Sequence, residues 1–219
     1  MRIFVINAYD DRMEKYNSKY ELFQAVWWED VTEEETKKYY FRHNAKMELR
    51  KKIVACSQSH KKLLLKIIQE NLEDVIIMED DAILDFSRLD ELKGLKNFTY
   101  IGGEITSKLM KDMKKFRDEE KADVIHSLCK GVNKIEPEYF KIGQTCGYFI
   151  PNAEVAQKIH SNLPNGEKER GIDTEYIYQQ RRGIITDFIF PPLVKLYVPD
   201  AKKGFTYSNY TLASDQSEY

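Results

Sequence analysis

The sequence predicts an α/β fold, a mixed and mostly parallel sheet flanked by helices on both faces, and three observations carry that prediction. Two short apolar runs, "RIFVIN" near the start and "VIIM" at residues 75–78, have the character of strands buried on both sides. Between them, "SQSHKKLLLKIIQENLED" repeats Leu64, Ile67, Ile68 and Leu72 at helical spacing, with Lys62, Lys66, Gln69 and Glu73 on the wet side. A strand, a helical crossover and a second strand make a βαβ unit, whose two strands pair in parallel.

Taken in order, the first strand closes on the polar Asn7, and "AYDDRMEKYNSKYELF" mixes loop and helix signals. Residues 29–52 are rich in charge, acidic before basic, which suits a solvated helix and loop. The long helix has two candidate caps at its start, Ser57 or Ser59, and His60 then falls in its first turn. After "VIIM" come Glu79, Asp80 and Asp81. "FTYIGG" predicts a third strand, ending in Gly102 and Gly103, where backbone bends or something approaches closely, a donor sugar included. Residues 104–141 have weak periodicity, with a helix expected over 107–121. "TCGYFIP" is a strand, Asn152 caps the helix "AEVAQKIHSNL", and "IDTEYIYQQRR" is a further helix. "GIITDFIFPPLV" is a last strand, stopped by Pro191 and Pro192.

With 219 residues the chain can bury a full core as one domain. A net charge of -2 gives no attraction to nucleic acid or to an anionic membrane. The four apolar residues before Asn7 are too few for a signal peptide or a membrane span, so a cytoplasmic protein is expected. Cys56, Cys129 and Cys146 have neither CxxC nor metal-finger spacing, which predicts buried thiols in a reducing compartment.

Three carboxylates closing an apolar strand call for a compensating positive charge, because like charges repel and a carboxylate at a core edge loses hydration. Hard oxygen ligands at a strand end suit Mg²⁺ or Mn²⁺. Strand alternation would turn Glu79 and Asp81 to one side and Asp80 to the other. His60, beside two hydroxyls at a helix start, would face an anion such as phosphate. In parallel sheets ligands lie beyond the carboxyl ends of the strands, where Asn7 and the acidic trio belong.

"INAYDDR", "ACSQSHKKLLL", "VIIMEDDAIL", "TCGYFIPNAEVAQKI", "GIDTEY" and "FIFPPLV" follow one another in an order that resembles the family 25 glycosyltransferases, the lipooligosaccharide-type enzymes. Their hallmarks look like I-N-L-x-x-R, G-C-x-x-S-H, E-D-D and a later aspartate. The chain is also similar to the soluble glycosyltransferase domains of large algal viruses. The resemblance implies a GT-A-like nucleotide-binding sheet, with about residues 1–103 as the nucleotide-sugar half and about 104–219 as the acceptor half of one domain. It implies transfer from a UDP-sugar donor to a hydroxyl of a glycan acceptor, with Mn²⁺ or Mg²⁺, in the cytoplasm (the host cytosol if viral). Carried over by position, Asn7 and Arg12 would contact the nucleotide, with Ala8 and Tyr9 beside its base, and Ser59 and His60 would line the donor site. Glu79 and Asp81 would be the metal acids, Asp81 the direct ligand, with Asp80 nearer the donor sugar. Asp173, or else Glu175, stands where the later catalytic aspartate falls. Ala8 and Ala55 replace the family's leucine and glycine, and no histidine follows His160.

In such a reaction negative charge builds on the departing diphosphate, and a cation there stabilises it. Lys202 and Lys203 are further candidates for that charge. Asp173 would take the acceptor's proton if configuration inverts, unless it only caps its helix. Tyr148 is open to either sugar stacking or core packing. Two other classes remain at this level, a metal-dependent phosphohydrolase and an inactive carbohydrate-binding module. The first lacks a D-x-D-x-[TV] motif.

Overall fold

A computed structural model describes residues 1–8, 16, 18–41, 45–107, 124, 127–164, 166 and 168–196. Among these described residues the central sheet has seven strands. β1 (Arg2–Asn7) pairs in parallel with β2 (Glu21–Gln24) on one side and with β3 (Val75–Glu79) on the other. Beyond β3 the order runs through β9 (Gly147–Ile150), β5 (Thr99–Tyr100) and β10 (Asp187–Phe190) to β7 (Gly131–Lys134) at the far edge. β5 and β10 are parallel, whereas β9 is antiparallel to both its neighbours and β7 is antiparallel to β10. The sheet is therefore mixed, with parallel pairing at β2–β1–β3 and again at β5–β10. Two small ribbons complete the strands: β4 (Ala82–Leu84) with β11 (Val194–Leu196), and β6 (Glu104–Ser107) with β8 (Phe140–Gly143).

Register places the site. Ile6 stands opposite Glu79 and Asn7 opposite Gln24, so the carboxyl ends of β1, β2 and β3 finish level with one another. The two sheet faces bury against different layers. Phe4, Ile6, Val75, Ile77, Tyr148 and Phe188 pack under α2 (Met47–Gln69), α3 (Ala153–Ser161) and α4 (Ile172–Arg181). Ile3, Ile76, Met78, Phe149 and Ile189 pack on a 3-10 helix (Phe86–Leu92) and on the β4–β11 ribbon. Strand alternation alone produces this division. A short helix, α1 (Glu33–Lys37), opens with a capping box between Thr32 and Glu35.

Helix α2 differs from its expected start. It begins at Met47, with no side-chain cap, so Ser57, Ser59 and His60 lie inside it. The expected start omitted its first ten residues because Glu48, Arg50, Lys51 and Lys52 close the charge-rich span that suits a separate solvated helix and loop; all four are good helix formers. Ser57 and Ser59 are buried, and their hydroxyls donate to the carbonyls of Ile53 and Ala55, one turn back. Each oxygen then accepts a bond from an arriving segment, from Ile172 N at 3.0 Å and from Val26 N at 2.8 Å. By contrast Asn152 caps α3 as expected, accepting from Val155 N.

Gly102 and Gly103 serve packing. A Cβ at Gly102 would stand 2.9 Å from Val194 Cβ, and Gly103 adopts φ +125, where a Cβ would meet the Gly143 carbonyl. Tyr148 is fully buried and stacks on Phe98. Cys146 is buried, but Cys129 is exposed and Cys56 only half-buried. The helix expected over 107–121 lies outside the described residues.

Candidate functional site

At the carboxyl ends of β1 and β3 a cavity of about 210 Å³ opens, and all three acids line it. β3 ends at Glu79, so Asp80 and Asp81 belong to the turn into β4, and the strand alternation expected of them does not apply. Asp80 is 4% exposed, and its Oδ2 accepts the Ala8 N–H at 2.7 Å, tying the end of β1 to the acidic turn. The part Ala8 plays here is thus its backbone. Asn7 is buried and lines neither this cavity nor the larger one below. Tyr9, Arg12, Lys202 and Lys203 lie outside the described residues.

His60 is fully buried in the middle of α2, so the free N–H groups of a helix start are not near it. Its Nδ1 lies 2.7 Å from the Tyr148 hydroxyl and its Nε2 lies 3.2 Å from Glu79 Oε1. Tyr148 in turn meets the Tyr176 hydroxyl at 3.4 Å. Glu79 Oε1 also accepts from the Thr145 hydroxyl at 2.5 Å. A polar chain therefore runs from the core, through His60, to the acid at the cavity wall. It holds Glu79 in one orientation.

A second, larger cavity of about 630 Å³ lies along α2 and the start of α4. Asp173 lines it, and so do the aromatic rings of Tyr40, Phe41 and Tyr178. The cap of α4 is Gly171, which leaves Asp173 free of that duty. Crowding by the surrounding protein, with the charge of Glu79 added, pushes the Asp173 carboxyl up to about 6; a bond from Thr145 and the His60 ring oppose the shift. Asp173 is nonetheless exposed on the cleft side, so solvent screening reduces this effect. Glu175, the other candidate, is buried and accepts from Arg170 N at 3.1 Å.

Lys52 and Cys56 line both cavities. The sequence reading gave Lys52 no role and Cys56 only that of a buried thiol, yet with His60 they stand at i, i+4 and i+8, one face of a helix. That spacing becomes a helix face because α2 begins at Met47. Lys52 pairs with Glu48 and its Nζ sits 5.2 Å from the Trp28 ring centroid. Trp27 and Trp28, also passed over, line the smaller cavity. Burial and the neighbouring carboxylates push the Cys56 thiol well up, so it is protonated and no nucleophile.

A family model described as glycosyltransferase family 25, LPS biosynthesis protein, matches residues 6–165. The chain belongs to glycosyltransferase family 25. The match runs from β1 through α2, the acidic turn and α3, and ends before Asp173. No curated protein matches the chain. As a family 25 member the protein is a glycosyltransferase on an α/β sheet, with a sugar donor and an acceptor to accommodate. No described helix of this family 25 chain is long and apolar enough to cross a membrane.

Proposed function

We propose that this glycosyltransferase moves a hexose or deoxyhexose from a UDP-sugar, bound at the acidic turn, to a hydroxyl of a glycan lying in the larger cavity. The observation that carries the reading is the shared wall: the cavity holding Glu79, Asp80 and Asp81 and the cavity holding Asp173 meet at Lys52 and Cys56. About 210 Å³ is below the roughly 300–1,000 Å³ of ordinary ligand pockets. A nucleotide sugar therefore extends out of the smaller cavity, and its sugar end reaches the shared wall. There the anomeric carbon comes within range of an acceptor beside Asp173.

The roles follow from the chemistry of each side chain. Trp27 and Trp28 offer apolar faces to the base. Asp81 and Glu79 present hard oxygen donors that fit Mn²⁺ or Mg²⁺, and such an ion would supply positive charge to the diphosphate. Asp81 would be the direct ligand of that ion, and Glu79, whose Oε1 is oriented by Thr145 and His60, would support it. Lys52 adds charge at the wall, in the role first given to Lys202 and Lys203. Asp80 keeps the turn in place through Ala8. Asp173 accepts the acceptor hydroxyl's proton as the bond from the anomeric carbon to phosphate breaks and the new glycosidic bond forms. About residues 1–103 supply the donor wall and about 104–219 supply Asp173, while Tyr40, Lys52 and Cys56 of the first half also border the acceptor. The free thiols support work in the cytoplasm.

The test is incubation with Mn²⁺, a panel of UDP-sugars and oligosaccharide acceptors. UDP release that requires an acceptor is the expected result, and Asp81→Ala should lower it at least a hundredfold with the fold intact. No release from any donor, or undiminished release by that variant, would remove the proposal.

A further inference from the structure

Cys56 Sγ, a ring nitrogen of His60 and a carboxylate oxygen of Glu79 all lie within 4.8 Å of one another. They meet beside the wall between the two cavities. We propose that this trio is a second metal site, selective for a borderline or soft divalent cation of the zinc type and distinct from the oxygen position at Asp81.

Three features built into the fold support it. Cys56 and His60 are four residues apart on α2, so both side chains leave the same face, and the end of β3 brings Glu79 to meet them. The His60 ring is held from behind, because Nδ1 engages the Tyr148 hydroxyl while Nε2 faces the trio. Metal-binding imidazoles are oriented in this way, by a partner on the other nitrogen. Glu79 is held likewise by Thr145.

Ligand chemistry then selects the ion. Zinc binds sulfur at about 2.3 Å and nitrogen or oxygen at about 2.0–2.2 Å, so atoms sharing one tetrahedral ion stand roughly 3.3–3.6 Å apart. His60 and Glu79 are already at 3.2 Å. Only the Cys56 sulfur, within 4.8 Å of the other two atoms, has to close in. A thiolate and an imidazole favour zinc and cobalt over Mg²⁺ or Mn²⁺, whose preference is for oxygen. On binding, the Cys56 S–H bond breaks, its proton goes to solvent and a sulfur–metal bond replaces it. Three protein ligands leave a fourth position open for water or a substrate atom.

The probe is Co²⁺, added to the full-length, untagged, metal-free protein without any nucleotide sugar, so that the outcome is independent of the proposed donor chemistry. One equivalent should produce a thiolate-to-cobalt charge-transfer band, displaced by Zn²⁺ and not by Mg²⁺. Cys56→Ser should abolish the band, while Cys129→Ser, at the exposed thiol, and Asp81→Ala should keep it. Glu79→Gln, which preserves side-chain shape, should weaken cobalt binding at least tenfold. Circular dichroism checks that each variant is folded. No band in the native protein, a band that survives Cys56→Ser and vanishes in Cys129→Ser, or native affinity in Glu79→Gln would each overturn the proposal.

Discussion

Thr145 has one hydroxyl proton and two carboxylates, those of Glu79 and Asp173, within its reach. Its bond to Asp173 favours the ion, but burial and the charge of Glu79 outweigh it and hold the Asp173 carboxyl up to about 6. A folded-state value above the unfolded one means that the native chain binds more protons between about pH 4 and 6. The contribution of Asp173 to stability is therefore best below that window and is lost as pH rises through it. Asp173→Asn removes the charge. In EDTA, it should melt higher than the native chain at pH 7.5, by roughly 2–4 °C after allowance for screening by water in the cleft, and the gap should close by pH 4. The same variant should transfer sugar at least a hundredfold more slowly. Equal melting at both pH values would show that the carboxyl is not crowded, and native turnover would remove it as the base. Lys52→Met has the opposite profile. Its pair with Glu48 is exposed at the surface, so Tm should move by less than about 2 °C, while kcat/KM for the donor falls about tenfold. An unchanged kcat/KM would return Lys52 to the role of a surface lysine.

Among the elements, α2 does more than the sequence reading asked of it. The buried hydroxyls of Ser57 and Ser59 fasten α4 and the segment after β2, and α4 carries Asp173. Ser57→Ala leaves the buried Ile172 N–H without its acceptor, at a cost of about 1–3 kcal/mol. Because that N–H adjoins Asp173, kcat should drop several-fold with donor KM unchanged, measured together with a denaturant melt. A change in donor KM with kcat intact would show that Ser57 serves the donor side instead. Why the helix start was misplaced is physical: Ser57 and Ser59 look like caps, yet their oxygens are turned inward by a helical period that begins at Met47. β2 and β7 were missed because each alternates half-buried with exposed residues and carries few apolar side chains, as edge strands do. β1, β3, β9 and β10 were legible as short runs that are buried almost throughout.

At the scale of the whole molecule, the acidic turn was readable because its three residues are consecutive, whereas the site's other wall assembles from α2 and α4, which only folding brings together. Sequence order shows a βαβ unit but not that β9 enters antiparallel between β3 and β5, since no local signal records a strand's non-neighbouring partner. That arrangement has a consequence for stability. β3 is paired on both sides, by β1 and β9, and Val75 to Met78 are 0% exposed under layers on both faces. β2 and β7 are the edges. Opening an edge strand exposes little apolar area, but opening β3 requires the sheet and both covering layers to part. Native-state hydrogen exchange should find the amides of Ile76 and Ile77 exchanging only by global unfolding, with denaturant dependence equal to the equilibrium m-value. Amides in β2 and β7 should exchange by local opening, faster by several orders of magnitude and nearly independent of denaturant. Protection in β7 equal to that of β3 would mean that the far edge is covered in solution and that the layer order described here is incomplete there.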